Sequence, residues 1–467
     1  MTKRLIPWPF ILGVIPAVVG FSIFFPGLMS WDSFILLGLG LNREINTWHP
    51  PLGGILFRLF SHLGPVQPIF LAFHFLILGM GLGLFSQAFS GLWVRQLGVF
   101  LLLFFPPLLG FAGSILKDPG HAFALILVWG SLLVSAKTKL NRRLLGVFLF
   151  GSFYAMEIRY FGFVPLLPAI WVFSKIHFPR YTGRAFILGL LGLFVADFGV
   201  QWATSREPPL IRHMGITFDL AGMTRVSGKW IIPDSLLDPA QKKFADQKGW
   251  LIEKSPRLFD SLFIEHTIGQ FYRCDQFISE GVLRPCFDFR RGDALQAATW
   301  QYMKVVLSNP LAYMGHRFSY FRAHLGLDPL NRRVYPFDEA KEVSPYRLDY
   351  SRNSPLLWVH RGLKVLTESP QAAFLFVYWP YLLMSAVLLI VGMRQNNLWT
   401  TSLAASSLLC LAVLLFFSHS LAFRLGYWSI WACLLSILCV GQGKWRNLDA
   451  RVSGNLAMSG KLMKPKS

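Results

Sequence analysis

The sequence predicts an all-α polytopic membrane protein with about 10 transmembrane helices, carrying a large, mainly helical extracytoplasmic segment between spans 7 and 8. Three observations predict it. Hydrophobic residues make up 54% of the 467 positions and the mean hydropathy is positive, too apolar for a soluble chain of this size. Several apolar runs reach the roughly 20 residues that a helix needs to cross a bilayer. Every connection expected on the cytoplasmic side carries Lys or Arg and almost no acid, as basic loops retained in the cytoplasm do. A β-barrel is disfavoured, because its strands would read as short alternating segments rather than continuous apolar runs.

The first run follows Met1-Thr2-Lys3-Arg4 and covers 5–26. It is long for a signal peptide and lacks a small-x-small cleavage site, so a retained span is expected. The other spans are expected at 68–90, 94–113, 119–136, 144–157, 161–175, 186–204, 373–393, 398–417 and 425–442. The fifth and sixth are short and read as a hairpin. A single crossing over 144–175 would move Lys175, Arg180 and Arg184 to the outside. Ten crossings put both termini in the cytoplasm. The segments on that side are Lys3-Arg4, Arg95, the block from Lys137 to Arg143, Lys175 to Arg184, Arg394 and the tail from Lys444, whose only acid is Asp449.

The chain divides into an N-terminal membrane module of seven spans over 1–204, an extracytoplasmic segment with interfacial helices over 205–372, three spans over 373–442, and a basic cytoplasmic tail over 443–467. The stretch 205–370 holds 18 of the 24 acidic residues and 23 of the 45 basic ones, so its charge is far better balanced than the rest. The net +21 therefore belongs largely to membrane-flanking segments, and no nucleic-acid partner is expected; membrane lipids are. Asn309 to Leu325 has helical apolar spacing with basic residues opposite, which predicts a helix lying in the lipid interface. Cys410, Cys433 and Cys439 fall in spans as packing residues. Cys274 and Cys286 lie in the polar segment, where a disulfide between them is open if the segment is outside the cytoplasm.

Outside that segment the acids are Asp32, Glu44, Asp118, Glu157, Asp197 and Asp449. An ionisable group held beside a membrane is costly and is read first as functional. The topology puts Asp32 and Glu44 in the first outer loop, Asp118 in the second and Glu157 in the third. Lys117, Arg159, His49, His419 and Arg424 join them on the same face. Carboxylates and cations at headgroup depth suit a lipid-linked phosphate donor. Arg and Lys stabilise charge on a phosphate leaving group, and a carboxylate takes the proton of an acceptor hydroxyl. Asp32 is the candidate base. His49, Glu44, Lys117, Asp118, Glu157, Arg159, His419 and Arg424 are candidate substrate-binding residues.

Each has a plainer reading. Asp32 could cap a helix. His49-Pro50-Pro51 could only start one, and Lys117-Asp118-Pro119 could only open the fourth span. Glu157 and Arg159 could pair with each other, Arg424 could anchor an interface, and Asp197 could bond a neighbouring helix. His74 and His121, on apolar faces, read as packing residues. No His-Glu-x-x-His, Cys/His cluster, nucleotide-binding glycine loop or internal repeat occurs, so no cofactor is expected and a divalent metal is not supported.

The segment from Pro26 to Ser33 (PGLMSWDS), followed by Trp48-His49-Pro50-Pro51-Leu52-Gly53, resembles the C-type (GT-C) membrane glycosyltransferases. The protein O-mannosyltransferases and their bacterial relatives are the nearest group. Ile158-Arg159-Tyr160 resembles their Arg-containing junction, and Phe218 to Gly222 and Asn309 to Leu325 look similar to stretches of unassigned role. The clear match covers 26–55. The resemblance implies a sugar transferase of the bacterial cytoplasmic (inner) membrane, with a polyprenyl-phosphate sugar as donor, a cell-envelope glycan, lipid or protein as acceptor, and Asp32 as the catalytic acid of the first outer loop. The mannosyltransferases carry Asp-Glu there, whereas Asp32 is followed by Ser33. Alternatives are a transporter or lipid flippase, or a catalytically inactive GT-C-like assembly protein. A transporter would favour midplane charges, broken helices and repeats.

Overall fold

The computed structural model describes residues 8–42, 49–138, 140–204, 210–229, 231, 233, 292–327, 355–369, 371–418 and 423–440. Among them the regular structure is helical, with one isolated bridge between Leu28 and Ser114. The helices are α1 (Trp8–Phe24), α2 (Trp31–Asn42), α3 (Pro51–Ser61), α4 (Val66–Ala88), α5 (Trp93–Leu102), α6 (Pro106–Ala112), α7 (Lys117–Lys137), α8 (Arg142–Glu157), α9 (Leu167–His177), α10 (Thr182–Thr204) and α11 (Leu210–Ser227). They continue with α12 (Gly292–Ser308), α13 (Pro310–His324), α14 (Pro355–Glu368), α15 (Trp379–Arg394), α16 (Leu398–Phe417) and α17 (Tyr427–Cys439).

Among the described residues, four helical stretches are long and apolar enough to cross a bilayer: Val66–Ala88, Lys117–Lys137, Pro179–Trp202 and Leu398–Phe417. None of the apolar window in Pro179–Trp202 is buried within the protein, and Leu188, Val195, Phe198 and Trp202 stand exposed on it. Such a surface is intolerable in water and ordinary in lipid. The molecule is a helical membrane protein.

The core forms around α4 and α7. Gly81 and Gly130 let their backbones approach; a Cβ on Gly130 would lie 2.8 Å from the Gly81 carbonyl oxygen. Helix α17 packs on α7 with Tyr427, Trp428 and Trp431, all fully buried, and Tyr427 and Trp431 lie edge-on to Phe123. Basic side chains close one end of the bundle. Lys137 donates to the Ala88 carbonyl at the end of α4, and Arg95 donates to the Val440 carbonyl beyond α17 at 2.8 Å. Cations favour the carbonyl ends of helices.

Four expectations change. The connection between the first two expected spans, over 27–67, contains α2 and α3, both too short to cross. The span over 94–113 is two helices bent by 51°, because Pro106 and Pro107 supply no amide hydrogen to continue α5. The run 161–175 becomes helical only at Leu167, after a turn in which Phe161 has φ 60°. The chain nevertheless doubles back there, and Phe148 stacks on Phe173 at 4.4 Å. Finally, much of the basic side of α13 turns inward: His316, Arg317 and His324 are buried, while Arg322 stays exposed. The segment they belong to packs on the membrane helices, α13 against α16 and α14 against α1 and α6. The Cys274 and Cys286 pairing lies outside the described residues.

Candidate functional site

Two segments far apart in sequence are joined before any charge is placed. The Leu28 amide donates to the Gly113 carbonyl at 2.9 Å and the Ile115 amide to the Leu28 carbonyl at 2.8 Å. The Ser33 hydroxyl adds a bond to the Ile115 carbonyl. Ser33 also completes a reciprocal cap: its amide donates to the Ser30 hydroxyl at 3.3 Å, and its own hydroxyl accepts from the Ser30 amide at 3.1 Å. Ser30 therefore caps α2, and the capping role open to Asp32 is not taken. Asp32 stands in the first turn of α2, close to Lys117 and Asp118 in the first turn of α7.

The carboxylate of Asp32 is paired with Arg424, Oδ2 to Nη2 at 2.5 Å. Arg424 sits in the short 3-10 turn Phe423–Gly426 that leads into α17. Asp118, whose side chain has no exposure, lies between two guanidinium groups, Arg159 at 3.3 Å and Arg424 at 3.8 Å. Arg159 follows the end of α8, and its turn is braced by His121, whose Nε2 donates to the Gly162 carbonyl at 3.3 Å. The Lys117 ammonium donates to Nδ1 of His49 at 3.0 Å and stays within electrostatic reach of Asp32, Asp118, Arg159 and Arg424.

Six predicted residues thus converge: Asp32, His49, Lys117, Asp118, Arg159 and Arg424. Three basic side chains, Lys117, Arg159 and Arg424, meet two carboxylates, with the His49 imidazole beside them. Burial alone would raise the Asp32 carboxyl, but Arg424 and then Lys117 outweigh it and hold the group well below the usual carboxylate range. Burial, reinforced by the Lys117 ammonium, pushes His49 down to about 3, which leaves it neutral. The cluster is not sealed: Asp32 keeps 24% of its side-chain exposure, Arg424 20% and Arg159 11%.

The remaining predicted residues divide. Glu157 is buried at the end of α8 but feels Asp197 rather than the cluster, and Arg159 turns to Asp118 instead of pairing with it. Asp197, on the outward α10, accepts from Gln201 at 2.9 Å. Glu44 and His419 lie outside the described residues. His74 is a packing residue bonded to the Tyr154 hydroxyl at 2.9 Å. Among the described residues no group of three or more His, Cys, Asp or Glu side chains is arranged to hold a metal ion.

A second charged centre carries no assignment from the sequence. Asp219 of α11 accepts from Arg317 and from the Tyr302 hydroxyl, each at 2.6 Å, with His316 Nε2 at 3.3 Å. The one sequence signal was an acid set in an apolar run, Phe218-Asp219-Leu220-Ala221, which is the pattern of a buried, paired carboxylate. Comparison of the chain with protein-family models, curated proteins and solved structures gives no match.

Proposed function

We propose that the chain is a membrane glycosyltransferase of the GT-C kind, with ten crossings, which moves a sugar from a polyprenyl-phosphate-linked donor to a cell-envelope glycan, lipid or protein at the outer face of a bacterial cytoplasmic membrane. One observation carries the reading. Two carboxylates and three basic side chains from four separate segments meet in a partly open cluster. Helix α10, exposed to lipid, supports a membrane-borne substrate. The basic residues that close the far end of the bundle support a cytoplasmic assignment of that end.

In this reading the donor phosphate competes with Asp32 for Arg424. Phosphate oxygens accept from guanidinium in the same geometry as a carboxylate and carry more charge. Arg159 and Lys117 add to the attraction, while Asp118 keeps the two guanidinium groups apart and oriented. Released from Arg424, Asp32 regains basicity and takes the proton of the acceptor hydroxyl. The hydroxyl oxygen bonds to the anomeric carbon as the bond from that carbon to the phosphate oxygen breaks, and the electron pair leaves with the phosphate. With Nδ1 accepting from Lys117, neutral His49 carries its proton on Nε2 and donates there to orient the acceptor.

The test uses the full chain in lipid nanodiscs, titrated with polyprenyl phosphate and with the uncharged polyprenol. Polyprenyl phosphate should raise the unfolding temperature in a saturable way and polyprenol should not. Arg424→Met should weaken that binding by about tenfold or more, the worth of a charge-assisted hydrogen bond. Asp32→Asn should keep the binding and lose transfer in membranes supplied with lipid-linked sugar. Equal responses to the two lipids would end the reading.

A further inference from the structure

Arg424 reaches the Asp32 carboxylate from the short turn Phe423–Gly426, and a single side chain grips that turn on both sides of it. The Tyr378 ring stacks on the Phe423 ring, with centroids 4.7 Å apart and planes 10° from parallel. The Tyr378 hydroxyl accepts the Gly426 amide at 3.1 Å. The approach is close: a Cβ on Gly426 would lie 2.6 Å from the Tyr378 ring, so the ring fills the place of a side chain there. Tyr378 is fully buried and stays within electrostatic reach of Arg159 and Asp118, so the grip lies beside the cluster itself.

Tyr378 has a firm footing of its own. The amide of the next residue, Trp379, donates to the Leu325 carbonyl just past α13 at 3.2 Å. The residue before it, Val377, packs on Gly326, where a φ of 76° and the absence of room for a Cβ both call for glycine. Phe423 also lies against Phe111 of α6, with centroids 5.8 Å apart.

Stacking alone does not call for a tyrosine, because a phenylalanine would cover Phe423 as well. What the hydroxyl adds is an acceptor for an amide that is buried with Gly426, two residues past Arg424. Left without a partner, that amide would carry a desolvation cost and would be free to turn elsewhere. Fixing both flanks of a residue narrows the positions its side chain can start from, so less ordering is left for the moment when its guanidinium meets an anion. We propose that Tyr378 is a positioning residue which grips Phe423 and Gly426 and so sets the reach of Arg424 to Asp32. It acts through Arg424 rather than on a substrate. The consequence for phosphate binding rests on the glycosyltransferase reading; the grip itself does not.

The experiment separates the two and uses the full chain in lipid nanodiscs. Arg424→Cys is introduced and its labelling rate by a charged methanethiosulfonate reagent is measured, with the parent chain as the control for native cysteines. Adding Tyr378→Phe, which deletes the hydroxyl and keeps the ring, should speed labelling by about tenfold, the population shift that loss of one buried hydrogen bond permits. Ser152→Cys, buried within α8, should label at the same rate with and without Tyr378→Phe. Should Tyr378→Phe fail to fold, Phe423→Leu takes its place, breaking the stacking and leaving the hydroxyl. Unchanged labelling at position 424, or equal acceleration at position 152, overturns the proposal. In a parallel series with Arg424 intact, Tyr378→Phe should weaken polyprenyl phosphate binding severalfold, and should have no further effect once Arg424→Met is present. Equal weakening in both backgrounds marks a merely structural role, and undiminished binding shows that the grip does not set the reach of Arg424; either result overturns the proposal. Faster labelling at position 424 in a chain that binds no polyprenyl phosphate leaves the grip standing and removes the glycosyltransferase reading.

Discussion

Asp118→Asn removes a single charge and almost no volume, and its effect can be worked from two distances. The carboxylate has no exposure and lies 3.3 Å from the Arg159 guanidinium and 3.8 Å from that of Arg424. At an effective dielectric of about 20 these attractions amount to roughly 5 and 4 kcal/mol before any cost is subtracted. Desolvation of the buried carboxylate offsets several kcal/mol of that sum, and breaking a buried pair typically costs about 3–5 kcal/mol net. Both arginines retain some exposure and can turn toward water, so the lower end applies: a loss of about 3 kcal/mol. The assay is the unfolding free energy in mixed micelles, with the Arg159→Met variant and the double variant completing a cycle. The double variant should be more stable than the sum of the single losses, because the Arg159 guanidinium is then no longer left facing an uncharged Asn. A change within about 0.5 kcal/mol for Asp118→Asn, the range of an ordinary surface substitution, would refute the ion-cluster account.

Two further outcomes are expected. With a folded value of about 3 against an ordinary 6.5, His49 takes up its proton only in the unfolded chain between those limits. Its contribution is complete above 6.5 and declines as the pH falls toward about 3. Asp32, also depressed, adds a loss only below the ordinary carboxylate value of 3.8. His49→Gln should flatten the stability profile between pH 6 and 4 by up to roughly 1.4 kcal/mol per pH unit, read by thermal unfolding across buffers. Gly222→Ala should destabilise the protein by about 1–3 kcal/mol, because the new methyl overlaps the His316 imidazole and must displace it from Asp219; a neutral Gly222→Ala would show that α11 and α13 are packed differently.

The fold was legible where the signal is local. Apolar length gave the helices from Val66, Lys117 and Leu398, and the basic connections foretold the end of the bundle that Arg95 and Lys137 close. The α2 helix was hidden because Trp31 to Asn42 is apolar yet too short to cross, which reads as loop in a membrane sequence. The acids and cations of the site stood out singly, since charge beside lipid is rare. Their partners did not. Asp32 and Arg424 lie 392 positions apart, and no periodicity links them. Arg159 next to Glu157 suggested a local pair, but Asp118 without exposure has the greater need of a counter-ion and takes it. On α13 the basic residues were read as facing lipid headgroups because the acid that turns them inward, Asp219, sits on another helix.

The bonds that join Leu28 to Gly113 and Ile115, and Ser33 to Ile115, distribute stiffness unevenly across the candidate site. Asp32, Lys117 and Asp118 ride on a single stapled piece, and displacing any one of them would strain the other two. Arg424 comes in on the separate turn Phe423–Gly426, which Tyr378 holds through Phe423 and Gly426. A ligand that parts Asp32 from Arg424 therefore has less to strain in turning the guanidinium aside than in moving the carboxylate.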